Sequence, residues 1–206
     1  MHQPVLHAVV VVSAPSQSWV ATPPLPWPPF VRLSSESSDT DVALVVHVLA
    51  TYNASKEAGA SVLSPEALVR QECLVLPGGL AVLDGDMAIY PSCCAGLEEW
   101  PEWASLLSGS GSPFLGHDPA PLILPSPDGF LVWSDGGMDP EIPASAFHIA
   151  ISRQQLSASI AQVRTDLLGF LLRLRAWSAH AVPSHAAPLV SAFANAFHIP
   201  LPGGGV

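Results

Sequence analysis

The most regular hydrophobic pattern in the chain runs from Ser152 towards Pro183. Apolar residues recur there at alternating steps of four and three, which places them on one face of a helix. This stripe consists of Leu156, Ile160, Val163, Leu167, Phe170, Leu174 and Trp177, broadened by Leu168, Leu171 and Leu172. Ser152 and Gln155 have the spacing of a capping box, so we expect a long helix that begins at Ser152 and is ended by Pro183.

Four shorter helices are predicted from similar signals, over about residues 39–58, 66–71, 97–107 and 186–197. The first follows N-capping chemistry at residues 39–41. The inner face of that helix is expected to carry Val42, Val45, Val46 and Leu49, and the inner face of the last helix Leu189, Val190, Phe193 and Phe197. The helix at 97–107 contains Pro101, which a helix tolerates only in its first turn.

Short apolar runs on either side of turn-forming residues predict two β-hairpins. In the first, Asp84-Gly85 joins two short apolar runs and favours the type I′ turn, whose twist matches that of the strands. In the second, residues 125–129 form a longer turn rich in proline, aspartate and glycine. The five predicted strands cover residues 80–83, 87–90, 122–124, 130–134 and 147–151. The β-branched run at 9–12 is expected to add an edge strand.

Strands and helices are grouped along the chain rather than alternating, and this order predicts an α+β fold. We expect a small antiparallel sheet of about five strands built from two hairpins, packed against one long and several short helices. Residues 1–38 are predicted to form a proline-rich arm, in which PPLPWPP favours polyproline II as a spacer or as a ligand for an aromatic groove. Residues 39–199 form a single domain in this interpretation, and residues 200–206 a disordered tail.

Charge is distributed unevenly along the sequence. The net charge is −10, and residues 71–152 contain no Lys or Arg but eleven Asp and Glu residues. Such a segment repels a phosphate backbone, so no nucleic-acid partner is expected. A basic protein surface or a divalent cation is electrostatically a more favourable partner than nucleic acid. The alternative is that the acids only keep the protein soluble.

No apolar run reaches the length of a membrane span, so no membrane partner is expected. Reduced thiols in a cytosol are the default for three cysteines without a disulfide framework, so we expect a cytoplasmic protein.

The three cysteines, at positions 73, 93 and 94, are too few and too irregular for a disulfide framework. Cys93 and Cys94 are adjacent, and thiolates serve both as nucleophiles and as metal ligands. Adjacent side chains are expected to point in different directions, which favours a buried, inert pair and predicts neither a metal nor another cofactor. The alternative is a hydrolase or metal-binding enzyme that uses these cysteines with His117 and Asp118. His117-Asp118-Pro119 also fits a simple Asp-Pro turn.

Two tryptophans and three glutamates are interleaved just after the cysteines. Trp100 and Trp103 have helical spacing, which is typical of core residues. Because Glu98, Glu99 and Glu102 surround them, part of this face is also compatible with exposed aromatic anchors rimmed by acid, as in protein-binding patches.

Several segments resemble a family of small soluble bacterial proteins with no established activity. They are LPGGLAV, YPSCCAGLEEWPEW, SPFLGHDPAP and VWSDGG, and the resemblance covers roughly residues 72–197. The order of helices, small sheet and acidic turn is more loosely similar to the SMI1/KNR4-like immunity and interaction domains. This second resemblance implies binding of a protein rather than catalysis.

The sequence therefore predicts a non-enzymatic interaction module, and the second resemblance implies a module of the immunity type. Its binding surface for a basic protein partner would consist of Glu98, Glu99, Trp100, Glu102, Trp103 and Asp118. The alternative remains the enzyme centred on Cys93, Cys94 and His117. The oligomeric state is left open.

Overall fold

The computed structural model describes residues 3–12, 29–53, 68–69, 73–137 and 142–201. These ranges contain helices and antiparallel sheets of four and three strands, which confirms the α+β class. The chain forms two compact units, where the sequence predicts one domain after an arm. One unit comprises Met1–Val9 and Pro77–Thr165, and the other comprises Val10–Leu76 and Asp166–Val206.

Seven strands lie within the described ranges, one more than the five strands and the added edge strand that the sequence predicts. They are β1 (Val5–Val11), β2 (Phe30–Arg32), β3 (Gly78–Asp84), β4 (Met87–Ile89), β5 (Leu122–Ser126), β6 (Gly129–Trp133) and β7 (His148–Ser152). The strand orders are β2-β1-β3-β4 and β5-β6-β7. Strand β1 thus has a neighbour on each side, and the expectation of an edge strand at residues 9–12 is wrong. Leu6, Ala8, Val9 and Val10 are all buried along this strand.

The first hairpin forms where the sequence places it, but its turn is displaced by one residue. Asp84 pairs with Met87, so the two central residues are Gly85 and Asp86. Of these two, only Gly85 has a positive φ, of 59°. This arrangement has glycine at the first central position, as a type II′ turn requires, and not the predicted type I′ pair Asp84-Gly85.

The second hairpin has a tighter turn than the sequence predicts. Ser126 pairs with Gly129, which leaves only Pro127 and Asp128 between the strands. Pro125 lies inside β5 opposite Phe130, a position that proline tolerates because β5 is an edge strand. Strand β7 pairs with β6 and confirms the strand predicted at residues 147–151.

Four α-helices lie within the described ranges: α1 (Asp39–Asn53), α2 (Trp103–Ser108), α3 (Arg153–Ala181) and α4 (Ala186–Ala196). A 3-10 helix at Leu97–Glu102 leads directly into α2, so the helix predicted at 97–107 has two parts and Pro101 lies in the 3-10 part. The apolar faces predicted for α1 and α4 are buried.

The predicted capping box of α3 is confirmed. The Ser152 hydroxyl accepts from the Gln155 N–H at 3.2 Å, and the Gln155 side chain accepts from the Ser152 N–H at 2.8 Å. Apart from the half-buried Ile160 and Leu168 and the exposed Leu172, the apolar stripe is buried. Leu172 is 65% exposed. It lies two residues before Leu174 and hence about 160° around the helix from the stripe, so its assignment to that face is wrong.

In the second unit, three phenylalanines make the centre of the helical core. Phe170 of α3 lies 6.3 Å from Phe193 and 6.2 Å from Phe197, measured between ring centroids. Each ring is fully buried. Aromatic pairs at such distances add to the burial of their surface, so this cluster ties α4 to the second half of α3.

Some predictions fall partly or wholly outside the described residues. These are the PPLPWPP run, the helix near residues 66–71 and all but the first two residues of the tail at 200–206. From the predicted arm at residues 1–38, the described segments supply β1 and β2 to the sheet. Among the described helices, none combines the length and apolar character needed to cross a membrane.

Candidate metal site

Two loops of the first unit run side by side. One follows β4 and carries Cys93 and Cys94, and the other follows α2 and carries His117. The Ser92 N–H donates to the Leu115 carbonyl at 2.8 Å, and the His117 N–H donates to the Cys93 carbonyl at 3.3 Å. These backbone hydrogen bonds bring residues more than twenty positions apart into one small region.

Gly116 makes this close approach possible. Its φ is 104°, a conformation that residues with a side chain rarely adopt. A Cβ atom at this position would lie 2.1 Å from the Ser92 hydroxyl oxygen and 2.8 Å from the Cys93 carbonyl oxygen. Glycine is therefore required here both by backbone conformation and by space.

Cys93 and Cys94 are both exposed, so the prediction of a buried, inert pair is wrong. Their Sγ atoms lie 3.5 Å apart, so the expectation that adjacent side chains diverge is wrong as well. The physical reason is the backbone of Cys94, whose φ of 69° is left-handed. Side chains alternate in direction along an extended chain, and this alternation is lost where the backbone turns.

The two thiols and the imidazole of His117 form a compact set of possible metal ligands. The ligand atoms of Cys93, Cys94 and His117 all lie within 4.8 Å of one another, and all three residues are exposed. Among the residues that the structure describes, this is the one such group of three His, Cys, Asp or Glu side chains. The enzyme alternative drawn from the sequence named the same three residues.

Asp118, the fourth residue of that alternative, lies beside the group and not in it. It is exposed, its N–H donates to the Ser92 hydroxyl at 3.4 Å, and the Asp118–Pro119 peptide bond is cis. The chain bends at residues 117–119, and Asp118 uses its backbone rather than its side chain in the contact with Ser92. The negative charge of Asp118 nonetheless contributes to the raised pKa of the Cys93 thiol.

The pKa of the Cys93 thiol is raised above its ordinary value. The causes, in decreasing order, are the hydrogen bond with Cys94, the charge of Cys94, slight desolvation and the charge of Asp118. The neighbouring thiol and the Asp118 carboxylate therefore disfavour the negatively charged form of Cys93. A bound cation would supply the missing positive charge.

Unlike the two exposed cysteines, the two tryptophans of the predicted protein-binding surface are buried. Trp100 is 6% exposed and Trp103 is 2% exposed, so both indole rings belong to the core. The expectation that they expose aromatic anchors is wrong, and the core interpretation of their helical spacing holds. Glu99 and Glu102 are exposed, and Glu98 is half-buried.

The acids of this segment repel one another. The pKa of Glu99 is raised, first by partial burial and then by the charges of Glu102 and Glu98. The carboxylate of Glu98 lies over Gly96, where an added Cβ would come within 2.4 Å of a carboxylate oxygen. The negative potential predicted from the sequence therefore has a local centre at the 3-10 helix.

Sequence reasoning did not identify Ser92 or Gly116 as parts of the site. The adjacency of Gly116 and His117 was a usable signal, because glycine often marks a close approach of two backbones. Nothing in the sequence distinguishes Ser92 from the chain's other serines. Its role depends on the pairing of two loops that are distant in sequence.

No family model, curated protein or solved structure matches this chain. The resemblances described from the sequence motifs therefore stay predictions.

Proposed function

We propose that the protein binds a zinc-class cation through Cys93, Cys94 and His117. The observation that carries this proposal is the distance of no more than 4.8 Å among the three ligand atoms. In a tetrahedral zinc site with ordinary bond lengths, two sulfur ligands lie about 3.8 Å apart and a sulfur and a nitrogen about 3.6 Å apart. The Sγ atoms at 3.5 Å already approach that spacing. The imidazole needs at most a shift of about 1 Å to meet it.

The chemistry of the ligands restricts the kind of cation. Thiolates are soft ligands, and together with imidazole they favour zinc or copper over magnesium or calcium, which prefer oxygen. The surrounding charge also favours a cation, since residues 71–152 contain no Lys or Arg. Three protein ligands leave one tetrahedral position for water or for a group supplied by another molecule. The proposal is binding alone and assigns no reaction.

A competition titration tests this proposal. The full chain is titrated with zinc against a chromophoric chelator, alongside the variants C93S, C94S and H117A. We expect one zinc ion per wild-type chain and a loss of affinity of at least about tenfold in each variant, because each removes a ligand. C73S is the matched control, since Cys73 is equally an exposed thiol but lies outside the trio. The proposal fails if the wild type does not bind zinc, or if C73S loses as much affinity as C93S.

The acidic surface supports a second candidate, the basic protein partner predicted from the sequence. Without the tryptophans, this surface consists of Glu98, Glu99, Glu102 and Asp118. The pKa of Glu99 is raised first by partial burial and then by the charges of Glu102 and Glu98. Electrostatic attraction would then raise the association rate with the partner more than it raises the affinity. In this picture the protein acts in the cytoplasm, where thiols stay reduced.

A lysine-rich peptide labelled with a fluorophore is a suitable probe for this second candidate. Binding should weaken steeply with salt and should fall in the double variant E99K/E102K. The double variant D128K/D86K has the same change of charge on two exposed turn residues elsewhere in the acid-only segment. If both double variants lose the same affinity for the peptide, binding depends only on the total negative charge. That result would refute a binding surface made of these particular residues.

A further inference from the structure

Ser92 contacts the histidine loop on both sides of His117. Before the histidine, the Ser92 N–H donates to the Leu115 carbonyl at 2.8 Å. After it, the Ser92 hydroxyl accepts from the Asp118 N–H at 3.4 Å and donates to the Pro119 carbonyl. One residue thus holds a five-residue stretch whose middle member is His117.

The same residue also anchors the turn that carries the two thiols. The Ser92 carbonyl accepts from the Ala95 N–H at 3.2 Å, which closes a turn around Cys93 and Cys94. Ser92 therefore uses its N–H, its carbonyl and its hydroxyl to join the two loops. The hydroxyl fits because Gly116 lacks a Cβ atom, which would otherwise lie 2.1 Å from it.

We infer that Ser92 is the positioning residue of the cation site, whose hydroxyl holds the His117 loop at the distance at which imidazole and thiols can share one cation. This inference rests on the proposed function. The Ser92 hydroxyl supplies no ligand in this arrangement and acts only through His117. The three ligand side chains are exposed, so little packing orients them, and hydrogen bonds from neighbouring residues must do so instead.

The variant S92A tests the inference because it removes the hydroxyl and leaves every ligand in place. Supporting residues of this type typically change metal affinity by about 10- to 100-fold, and we expect a loss of zinc affinity in that range. S108A is the matched control. The Ser108 hydroxyl is also exposed and hydrogen-bonded, to Ser105 and Ser110, but lies in neither loop. Its affinity for zinc should equal that of the wild type.

A double-variant comparison separates positioning from a general structural role. If Ser92 acts through His117, S92A should cost no further affinity in the background of H117A. In the cobalt-substituted protein, S92A should keep the sulfur-to-cobalt charge-transfer band and change the visible bands in the same way as H117A. General unfolding would instead abolish the sulfur band as well.

The outcomes distinguish this inference from the proposal beneath it. A wild type that binds no zinc overturns the proposed function and the role of Ser92 together. A wild type that binds zinc, with S92A equal to it, overturns the role of Ser92 alone. The same holds if S92A weakens H117A as strongly as it weakens the wild type, because Ser92 would then not act through the histidine.

Discussion

The Sγ atoms of Cys93 and Cys94 lie 3.5 Å apart on an exposed turn. This relationship depends on the left-handed backbone at Cys94, whose φ is 69°. For a residue other than glycine, such a conformation costs roughly 1–2 kcal/mol, so the contacts around it must maintain it. The hydrogen bonds of Ser92 and the close approach of Gly116 are the contacts in the right place to do so.

The exposure of the thiols predicts how they react. All three cysteines of the native chain should react with Ellman's reagent, because Cys73, Cys93 and Cys94 are all exposed. The count should be the same with and without guanidinium chloride. A native count of one, which rises to three after unfolding, would instead indicate the buried pair expected from the sequence.

Replacing Gly116 should destabilise the first unit. In G116A, the strained φ of 104° and the contact of the new Cβ with Ser92 should together cost about 2–3 kcal/mol of the free energy of unfolding. Urea denaturation measures this cost. The control is G111A, because Gly111 has no positive φ and the nearest atom to its added Cβ is 3.9 Å away. We expect less than about 0.5 kcal/mol there, and equal urea midpoints for the two variants would contradict the described loop contact.

The raised pKa of Glu99 predicts a pH-dependent gain from its neutralisation. A carboxyl group whose pKa is higher in the folded than in the unfolded state opposes folding once the pH exceeds both values. E99Q should therefore be more stable than the wild type at pH 7, by no more than about 0.5 kcal/mol because the residue is exposed. The difference should vanish at acidic pH, where Glu99 is protonated. A variant that is less stable than the wild type at pH 7 would contradict the repulsion by Glu98 and Glu102.

Two ion pairs in the second unit should differ in their contribution to stability. Arg32 donates to Asp166 at 2.9 Å, and the Asp166 side chain is only 7% exposed. Arg173 pairs with Asp39 at 2.8 Å, but there both side chains are substantially exposed, 39% and 57%. R32M leaves a buried carboxylate without this partner and should cost about 1–3 kcal/mol, whereas D39N should cost less than about 1 kcal/mol.

Thermal or urea unfolding of these two variants tests the role of burial. The prediction concerns the order of the two costs, since both bonds have nearly the same length. If D39N is as destabilising as R32M, burial does not govern these pairs.

Local sequence signals predicted the parts of the fold that depend on neighbouring residues. The capping box of Ser152 and Gln155 is an example, because both partners lie within one helical turn. The turn at Gly85-Asp86 shows the limit of such signals. Its position depends on the pairing of Asp84 with Met87, and a shift of one residue in register changes the turn type.

The candidate site depended even more on contacts between distant residues. The sequence identified Cys93, Cys94 and His117 as possible partners but could not show that two loops join them. It also could not show the left-handed backbone at Cys94, since cysteine has no preference for that conformation. For Trp100 and Trp103 the sequence left two interpretations, and only the packing of the core distinguished them.

The most direct test of the account is X-ray absorption spectroscopy at the zinc edge. The C73S variant of the full chain, loaded with one zinc ion, leaves Cys93 and Cys94 as the only thiols. The account predicts two sulfur atoms at about 2.3 Å and at least one nitrogen at about 2.0–2.1 Å, with the multiple-scattering pattern of an imidazole. A shell of oxygen and nitrogen without sulfur would contradict it.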